Sequence, residues 1–284
     1  MLPEDIMLRH ERTSLRCYRG VLPRRASGLG RVTPAAIMPI KVALTGHRGK
    51  TGSALVPSLT AAPDIEYVGG VGRKDDLQAF LEEQRPQALV DFTHPTGALQ
   101  NALAAVAARA APIVGTSGLS TEAVDRLEAA CREAGVGGII APNFAIGAVL
   151  MMHLADQAAP FCDAVEVIEM HHAAKADAPS GTALATARRL AAKKGTEYSY
   201  NRPEKVTLPN TRGGEEGTVG VHSVRLPGLV ADQEVIFGLP GQTLTITHRT
   251  TSRECYGPGV LLAIRRIAAE PRFYRGLDAL LGLT

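Results

Sequence analysis

The sequence lacks tryptophan, and aromatic residues make up only 4% of its 284 positions. Its four cysteines are scattered, with no Cys-x-x-Cys pair, so neither a disulfide framework nor a zinc site of the usual spacing is expected. No apolar run reaches the ~20 residues that a membrane-spanning helix needs. With 45% hydrophobic residues, these absences are typical of a soluble, cytoplasmic enzyme that does not bind a membrane.

Positive charge is concentrated at the N-terminus. The first 40 residues carry seven arginines and three acidic residues, which leaves −1 for the rest of a chain whose net charge is +3. A basic face for nucleic acid is therefore not expected. Residues 1–37 have too many acids for a typical transit peptide and no apolar segment for a secretory signal. We interpret them as a disordered extension, or as the result of a start placed upstream of Met38.

From Ile40 onwards, short apolar strands alternate with helical segments. The predicted strands are 40–45, 65–71, 88–92, 112–115 and 138–141. Such alternation predicts a parallel sheet of the Rossmann type.

After residue 142 the pattern changes to helices at 146–157 and 181–194 and strands at 164–170, 218–226, 234–239 and 243–248. Pro240-Gly241 predicts a hairpin between the last two strands. The segments 260–268 and 277–283 are again helical. We therefore predict an α/β protein with a Rossmann-type cofactor domain (38–142 plus 253–284). An α+β domain (143–252) is expected to be inserted between these two parts.

A glycine-rich loop follows the first strand and opens the first helix. Its residues are Gly46, His47, Arg48, Gly49, Lys50, Thr51 and Gly52. Glycines at this place let backbone N–H groups approach a pyrophosphate at a helix N-terminus, and the cations add to that attraction. A merely structural turn is the alternative, but the strand–loop–helix context favours a dinucleotide site.

The end of the second strand bears on the choice of cofactor. NAD enzymes usually place an Asp or Glu there, whereas this sequence has Gly72-Arg73-Lys74. The two cations would suit a 2′-phosphate, so NADPH is expected to be preferred and NADH accepted. The alternative is that Arg73 and Lys74 form a solvated loop.

Further loops fall where strands end, and open α/β sheets bind ligands at that edge. They are Asp91–Pro95, Gly115-Thr116-Ser117 and Ala141-Pro142-Asn143-Phe144, and the last two are assigned to the cofactor. His94 is interpreted as a loop histidine without a role.

The densest group of reactive side chains lies at 169–183. Pro179 fits the first turn of a helix, and Ser180 or Thr182 can cap it, so this N-terminus can hold a carboxylate. His171, His172 and Lys175 supply donors, which suits a small dianionic substrate that gains a proton. A structural role for the histidines is the alternative. Metal binding is not expected, because neighbouring strand residues point to opposite faces and HExxH is absent.

The pattern His171-His172-x-x-Lys175-x-Asp177-x-Pro179-Ser180-Gly181-Thr182-Ala183 resembles the dihydrodipicolinate reductase family, and the loops above match it from Ile40 to the C-terminus. The resemblance implies NAD(P)H-dependent reduction of 4-hydroxy-tetrahydrodipicolinate, a dicarboxylate heterocycle of the diaminopimelate and lysine pathway, by a homotetramer. It implies that His171 and Lys175 are catalytic, that His172, Ser180, Gly181 and Thr182 bind substrate, and that the inserted domain (143–252) binds substrate and forms the tetramer.

The resemblance has departures: Lys50-Thr51, Thr116-Ser117 and the acid lacking near 72–73 differ from common family patterns. Two other functions remain open on the sequence. One is a dehydrogenase of the same fold that acts on another amino or imino acid. The other is a catalytically silent cofactor sensor, against which the presence of His171, Lys175 and Thr182 argues.

Overall fold

The computed structural model describes residues 38–200 and 202–283, so the proposed N-terminal extension, 1–37, lies outside the described residues. A six-stranded parallel sheet is ordered β11-β5-β4-β3-β1-β2. Its strands are β1 (Ile40–Thr45), β2 (Ile65–Val71), β3 (Ala88–Asp91), β4 (Ala111–Val114), β5 (Gly138–Ile140) and β11 (Phe273–Arg275).

Helices lie between these strands along the chain, as a parallel sheet requires. They are α1 (Lys50–Ala61), α2 (Leu77–Gln84), α3 (Pro95–Ala107), α4 (Thr121–Ala134) and α7 (Gly257–Ala269), and a short helix, α8 (Leu277–Leu281), follows the last strand. The central strands β1 and β3 are buried along most of their length, because helices cover both faces of such a sheet. Among the described residues, no helix combines the length and apolarity that crossing a membrane would require.

A second, mixed sheet is ordered β10-β9-β6-β8-β7. Its strands are β6 (Ala164–His171), β7 (Gly214–Glu216), β8 (Val219–Arg225), β9 (Ala231–Leu239) and β10 (Gln242–His248). One face, which we call the inner face, packs against α5 (Ile146–Ala158) and α6 (Gly181–Lys194). Burial alternates along β6, so that Val165, Val167 and Glu169 point to the inner face.

The opposite, outer face of this sheet is half-exposed in the single chain. It carries Ile168 and Met170 of β6, Val224 of β8 and Ile236 of β9. An open sheet with apolar side chains on its exposed face is a surface that proteins commonly cover by association.

The structure confirms the predicted α/β architecture with two sheets, and the Pro240-Gly241 hairpin joins β9 to β10. Gly241 has a φ of +75°, which explains why a glycine stands in this turn. The sequence pattern did not predict α2, α4, β7 and β11. It predicted only helices in the C-terminal segment, 260–283, whereas the structure also has β11 there, which completes the six-stranded sheet by pairing with β5.

A charged network links the second sheet's helices to the C-terminal segment. Arg189 of α6 donates to Asp156 of α5 at 2.6 Å and to Asp278 of α8 at 2.9 Å. The side chain of Asp156 is only 4% exposed. Burial of that carboxylate is therefore tolerated because the guanidinium neutralises it.

We expect Arg189→Ala to lower the free energy of unfolding by about 2–4 kcal/mol, because Asp156 would be left buried without its cation. The neighbouring variant Arg188→Ala is the matched control. Arg188 pairs with Glu216 at the surface, and exposed pairs contribute only about 0–1 kcal/mol. Urea denaturation of both variants measures the difference. Equal losses would contradict the special role of the Arg189 network.

Candidate active site

The glycine-rich loop is packed so tightly that side chains do not fit at two positions. Gly46 has a φ of +82°, and a Cβ there would lie 2.4 Å from the Phe92 carbonyl oxygen. A Cβ on Gly52 would lie 2.2 Å from the carbonyl oxygen of Gly46. Gly49 is the N-cap of α1. The bare backbone at a helix N-terminus, with Arg48 and Lys50 exposed beside it, fits a dinucleotide pyrophosphate.

The end of β2 differs from its sequence interpretation in one respect. Arg73 and Lys74 are exposed there, and an acid is present beside them. Asp75 turns back so that its carboxylate accepts the Gly72 N–H at 2.7 Å. The end of β2 therefore presents two cations together with one carboxylate, that of Asp75, which the turn folds back against Gly72.

Asp91, at the end of β3, is a buried carboxylate that the sequence analysis quoted without assigning a function. It accepts hydrogen bonds from the hydroxyls of Thr45 (2.7 Å) and Thr116 (2.6 Å), and from the Asn101 side-chain amide at 2.8 Å. The Thr93 hydroxyl also donates to it at 2.9 Å. This carboxylate thus holds the end of β1 and the loops after β3 and β4 in one arrangement.

The other predicted cofactor loops lie at the same edge of the sheet. Gly115 packs so closely on Phe92 that a Cβ would meet the ring at 2.2 Å. The Phe144 side chain is 1% exposed and packs against Phe92 with the two rings tilted and their centroids 5.8 Å apart, so only its backbone is open to a ligand. Asn143 accepts the Ala145 N–H at 2.9 Å in the turn just before α5.

Three further assignments from the sequence gain a structural context. His94 caps α3 by accepting the Thr96 N–H, so this histidine has a local role that the sequence analysis did not give it. Pro179 precedes the N-cap instead of lying in the first turn, because α6 begins at Gly181. Ser180 is the cap residue and accepts the Ala183 N–H at 3.1 Å, whereas Thr182 lies inside the helix.

A buried ion pair lies beneath the predicted catalytic histidine. Glu169 is 0% exposed, and its carboxylate contacts His171 Nδ1 at 2.5 Å. Arg225 of β8 donates a hydrogen bond to each carboxylate oxygen of Glu169, at 2.7 and 2.9 Å. Burial raises the pKa of the Glu169 carboxyl, but hydrogen bonds from Arg225 and His171 outweigh it and hold that pKa below its usual value.

Burial has the opposite effect on the pKa of His171. Burial lowers the pKa of the His171 imidazole, and the nearby Glu169 only partly offsets this, so the pKa lies below the usual value for histidine. A lowered pKa makes the imidazolium of His171 a stronger acid.

The remaining predicted residues surround this pair. Lys175 contacts Asp177 at 2.7 Å, so its ammonium is engaged within the loop that precedes α6. His172 Nε2 lies 3.3 Å from the guanidinium of Arg253. Gly181 is exposed at the first turn of α6, where free backbone N–H groups attract anions.

A small cavity of about 80 Å³ opens beside His171. The predicted residues Asn143, Ser180 and Thr182 line it, so the cavity lies between the carboxyl edge of the parallel sheet and the N-terminus of α6. Residues that the sequence analysis missed complete its wall: Met151, Asp232, Gln233, His248, Thr250 and Tyr256.

The described residues contain a second surface depression but no metal-binding cluster, and neither observation points to a different site. No group of three His, Cys, Asp or Glu side chains within residues 38–200 and 202–283 has a metal-binding arrangement. An open depression of about 670 Å³ between Arg85 and Arg109 lies at the amino ends of β3 and β4, away from the edge where such sheets bind ligands.

Similarity to known proteins covers both sheets. Residues 40–144 match the family model described as dihydrodipicolinate reductase, N-terminus, and residues 147–281 match that of the C-terminus. The chain is 42% identical over 265 residues to the 4-hydroxy-tetrahydrodipicolinate reductase of Moorella thermoacetica, covering 86% of this chain and 99% of that protein. The reductase of that name from Synechocystis sp. is 42% identical over 272 residues, covering 85% and 98%.

A solved structure agrees with these relatives. The dipicolinate-bound dihydrodipicolinate reductase of Paenisporosarcina sp. TG-14 superimposes with a TM-score of 0.79 at 33% identity, covering 85% of this chain and 99% of that one. The GenD2 structure in complex with NAD is 14% identical with a TM-score of 0.58, which is a likeness of fold alone. On the combined evidence of motif, fold and relatives, the chain belongs to the dihydrodipicolinate reductase family.

Proposed function

We propose that this chain reduces 4-hydroxy-tetrahydrodipicolinate with NAD(P)H, in the diaminopimelate and lysine pathway. The observation that carries the proposal is the His171–Glu169 pair at a cavity that meets both the α6 N-terminus and the cofactor edge of the parallel sheet. The names of the relatives support the same reaction. Nothing in the comparisons favours a dehydrogenase of another amino acid or a silent sensor.

The proposed substrate has two carboxylates, and the site offers matching cationic groups. One carboxylate would bind at the N-terminus of α6, at Ser180, Gly181 and Thr182, where backbone N–H groups and the helix dipole favour an anion. His172 and Arg253, whose side chains meet at 3.3 Å, would contact the other carboxylate. The dipicolinate bound to the Paenisporosarcina enzyme is a ligand of the same dicarboxylate class.

His171 is proposed to give the substrate ring its proton, and Lys175 to act as a second donor. Lys175 must leave Asp177 to do so, and an arriving carboxylate would compensate for that loss of an ion pair. The nicotinamide supplies the hydride when the cofactor is bound. General acid assistance of this kind contributes about 10²–10⁴-fold to rates.

The cofactor is proposed to lie along the carboxyl edge of the parallel sheet. Gly46–Thr51 would hold the pyrophosphate, Arg73 and Lys74 the adenosine end, and residues 115–117 and 141–144 the nicotinamide end. The close-packed glycines fit such a group, because no side chain separates it from the backbone. This assigns residues 38–142 and 253–284 to cofactor binding and 143–252 to substrate binding and assembly.

The outer sheet face is proposed to be covered by other copies in a homotetramer of a cytoplasmic enzyme. Its half-exposed apolar side chains and the free edge strand β10 give the face both apolar area and unpaired backbone groups. A second copy of the same surface can satisfy both, since symmetric interfaces are self-complementary.

For catalysis, we expect His171→Ala and Lys175→Ala each to lower kcat by about 10²–10⁴-fold, while the dissociation constant of NADPH stays nearly unchanged. Lys193→Ala is the matched control, because Lys193 is exposed at the far end of α6. Steady-state assays with the product of dihydrodipicolinate synthase measure the effect. Near-normal turnover of the first two variants would contradict the assigned roles.

For cofactor choice, we expect NADPH to bind up to about tenfold tighter than NADH, because a charge-assisted phosphate contact contributes about 1.5–3 kcal/mol before solvent screening. Asp75 opposes this preference by repelling a 2′-phosphate. The double variant Arg73→Ala/Lys74→Ala should weaken NADPH and hardly affect NADH in fluorescence titrations. Arg126→Ala/Arg132→Ala removes two exposed charges from α4 and should change neither. Equal weakening of both cofactors by the first variant would show that the 2′-phosphate is bound elsewhere.

For assembly, we expect light scattering at micromolar concentration to give the mass of a tetramer. Ile236→Lys should reduce that mass, because it places a charge on the outer face of the second sheet. Glu83→Lys, on the exposed side of α2, introduces a lysine elsewhere and should leave the mass unchanged. A monomeric wild-type chain would contradict the proposed assembly.

A further inference from the structure

We propose that Glu169 and Arg225 act as a positioning pair that fixes which nitrogen of the His171 ring faces the substrate. The pair would keep the hydrogen on Nδ1 and leave Nε2 as the nitrogen that exchanges a proton with the substrate. This proposal deepens the proposed function, because it rests on His171 as the proton donor. Neither residue of the pair has to touch the substrate.

The geometry leaves the Glu169 carboxylate fully occupied. Its Oε2 contacts His171 Nδ1 at 2.5 Å and Arg225 Nη1 at 2.9 Å. Its Oε1 accepts from Arg225 Nη2 at 2.7 Å and from the Ser180 N–H at 3.2 Å. A carboxylate with these donors accepts hydrogen bonds and has no proton of its own to give. The nitrogen at Oε2 must therefore be an N–H, which places the hydrogen on Nδ1.

The fold explains why Glu169 and His171 meet. They stand two residues apart on β6, so both side chains point to the inner face. The parallel neighbour β8 places Arg225 opposite His171 in the strand register. Glu169 thus occupies Nδ1 of the imidazole, and Nε2 is the nitrogen left to face the cavity that His171 lines.

The same pair also fixes the loop between β6 and α6. Arg225 Nη2 donates to the Asp177 carbonyl oxygen at 2.6 Å, and Asp177 is the partner of Lys175. The Ser180 N–H bond ties the carboxylate to the cap of α6. One buried ion pair therefore connects the proposed proton donor, the loop of the second donor and the proposed carboxylate seat.

The proton balance follows from this arrangement. In the imidazolium form, both nitrogens carry hydrogen. Transfer of the Nε2 proton to the substrate breaks that N–H bond and leaves neutral His171 with its hydrogen on Nδ1, still bonded to Glu169. Solvent can then reprotonate Nε2 when the product has left. Glu169 stays ionised throughout, because Arg225 remains paired with it.

Several other charged groups surround His171 and bear on its titration. Lys175 and Arg225 disfavour the imidazolium, whereas Glu169 favours it. Asp232 of β9 and His248 of β10 line the same cavity. Among these groups, only Glu169 contacts a ring nitrogen of His171 in the described structure, so its removal should have a specific signature.

A second glutamate on the same strand provides a natural comparison. Glu166 also pairs with a histidine and an arginine, His222 (2.5 Å) and Arg212. It points to the outer face, however, and its side chain is 28% exposed. The Glu166 cluster thus repeats the chemistry of the Glu169 cluster without a link to the cavity, so Glu166→Gln is a matched control for Glu169→Gln.

The first test is the tautomer of His171 in the wild-type protein, observed by NMR of ¹⁵N-histidine-labelled protein and assigned with His171→Gln. We expect neutral His171 to carry its hydrogen on Nδ1. In Glu169→Gln the amide NH₂ can face the ring, so we expect the hydrogen to move to Nε2. In Glu166→Gln the signal should stay as in the wild type. A wild-type Nε2–H form, or an unchanged tautomer in Glu169→Gln, would overturn the proposal.

The second test is the pH dependence of kcat. Activity should fall as pH rises through the pKa of His171, because the imidazolium is the donor. Loss of an adjacent negative charge shifts a histidine pKa down by about 1–2 units. Glu169→Gln should therefore move the falling limb to lower pH by about that amount and lower kcat by about 10–10³-fold, with little change in the KM for NADPH.

The controls separate positioning from simple stability. Glu166→Gln should leave the falling limb at its wild-type pH. If Glu169→Gln lowers kcat but leaves the falling limb of the pH profile at its wild-type pH, then the pair only supports the fold, and the proposal is overturned. If the wild-type tautomer is as expected but the chain does not turn over the proposed substrate, the proposed function fails while the assignment of the His171 tautomer stands.

Discussion

The contact between Glu169 and Arg225 is the interaction on which the site depends. A carboxylate with no exposure cannot remain ionised unless cations and hydrogen-bond donors replace the water it has lost. Arg225 supplies two of those donors and also holds the Asp177 carbonyl oxygen. Without this guanidinium, Glu169 would be driven towards its neutral form, and a neutral carboxyl could not stabilise the imidazolium of His171 in the same way.

A second buried carboxylate, that of Asp91, connects the loops that are proposed to bind the cofactor, and it is stabilised by neutral donors. Asp91 has no cation among its partners in the described structure and is surrounded by hydroxyl and amide donors from separate segments. These donors are neutral, so the arrangement depends on all of them being present at once. Glu169 thus supports the proposed substrate side of the site, and Asp91 supports the proposed cofactor side. Each of these buried carboxylates joins segments that are distant in the sequence.

The proximity of the two halves follows from the path of the chain. The chain leaves the parallel sheet after β5, builds the second sheet, and returns through α7 to add β11 beside β5. Arg189 then ties α5 and α6 to Asp278 of the C-terminal helix. The cavity at His171 lies where α5 begins, close to Asn143, so a substrate there would be next to the edge at which the cofactor is proposed to bind.

Local patterns in the sequence determined the class of fold, the glycine loop, the hairpin and the reactive segment 169–183, because each depends on neighbours within about a dozen residues. They left out α2, which is only eight residues long, and β11, which is only three. The helix α4 was overlooked although Ser120 and Gly135 mark its two ends. Asp75 was missed because a turn, rather than the strand end, returns its carboxylate to Gly72. Only the tertiary structure could identify Arg225, Arg253 and His248 as neighbours of the reactive segment. They lie more than 40 positions further along the chain, and strand register and chain return, which no local pattern encodes, bring them to His171 and His172.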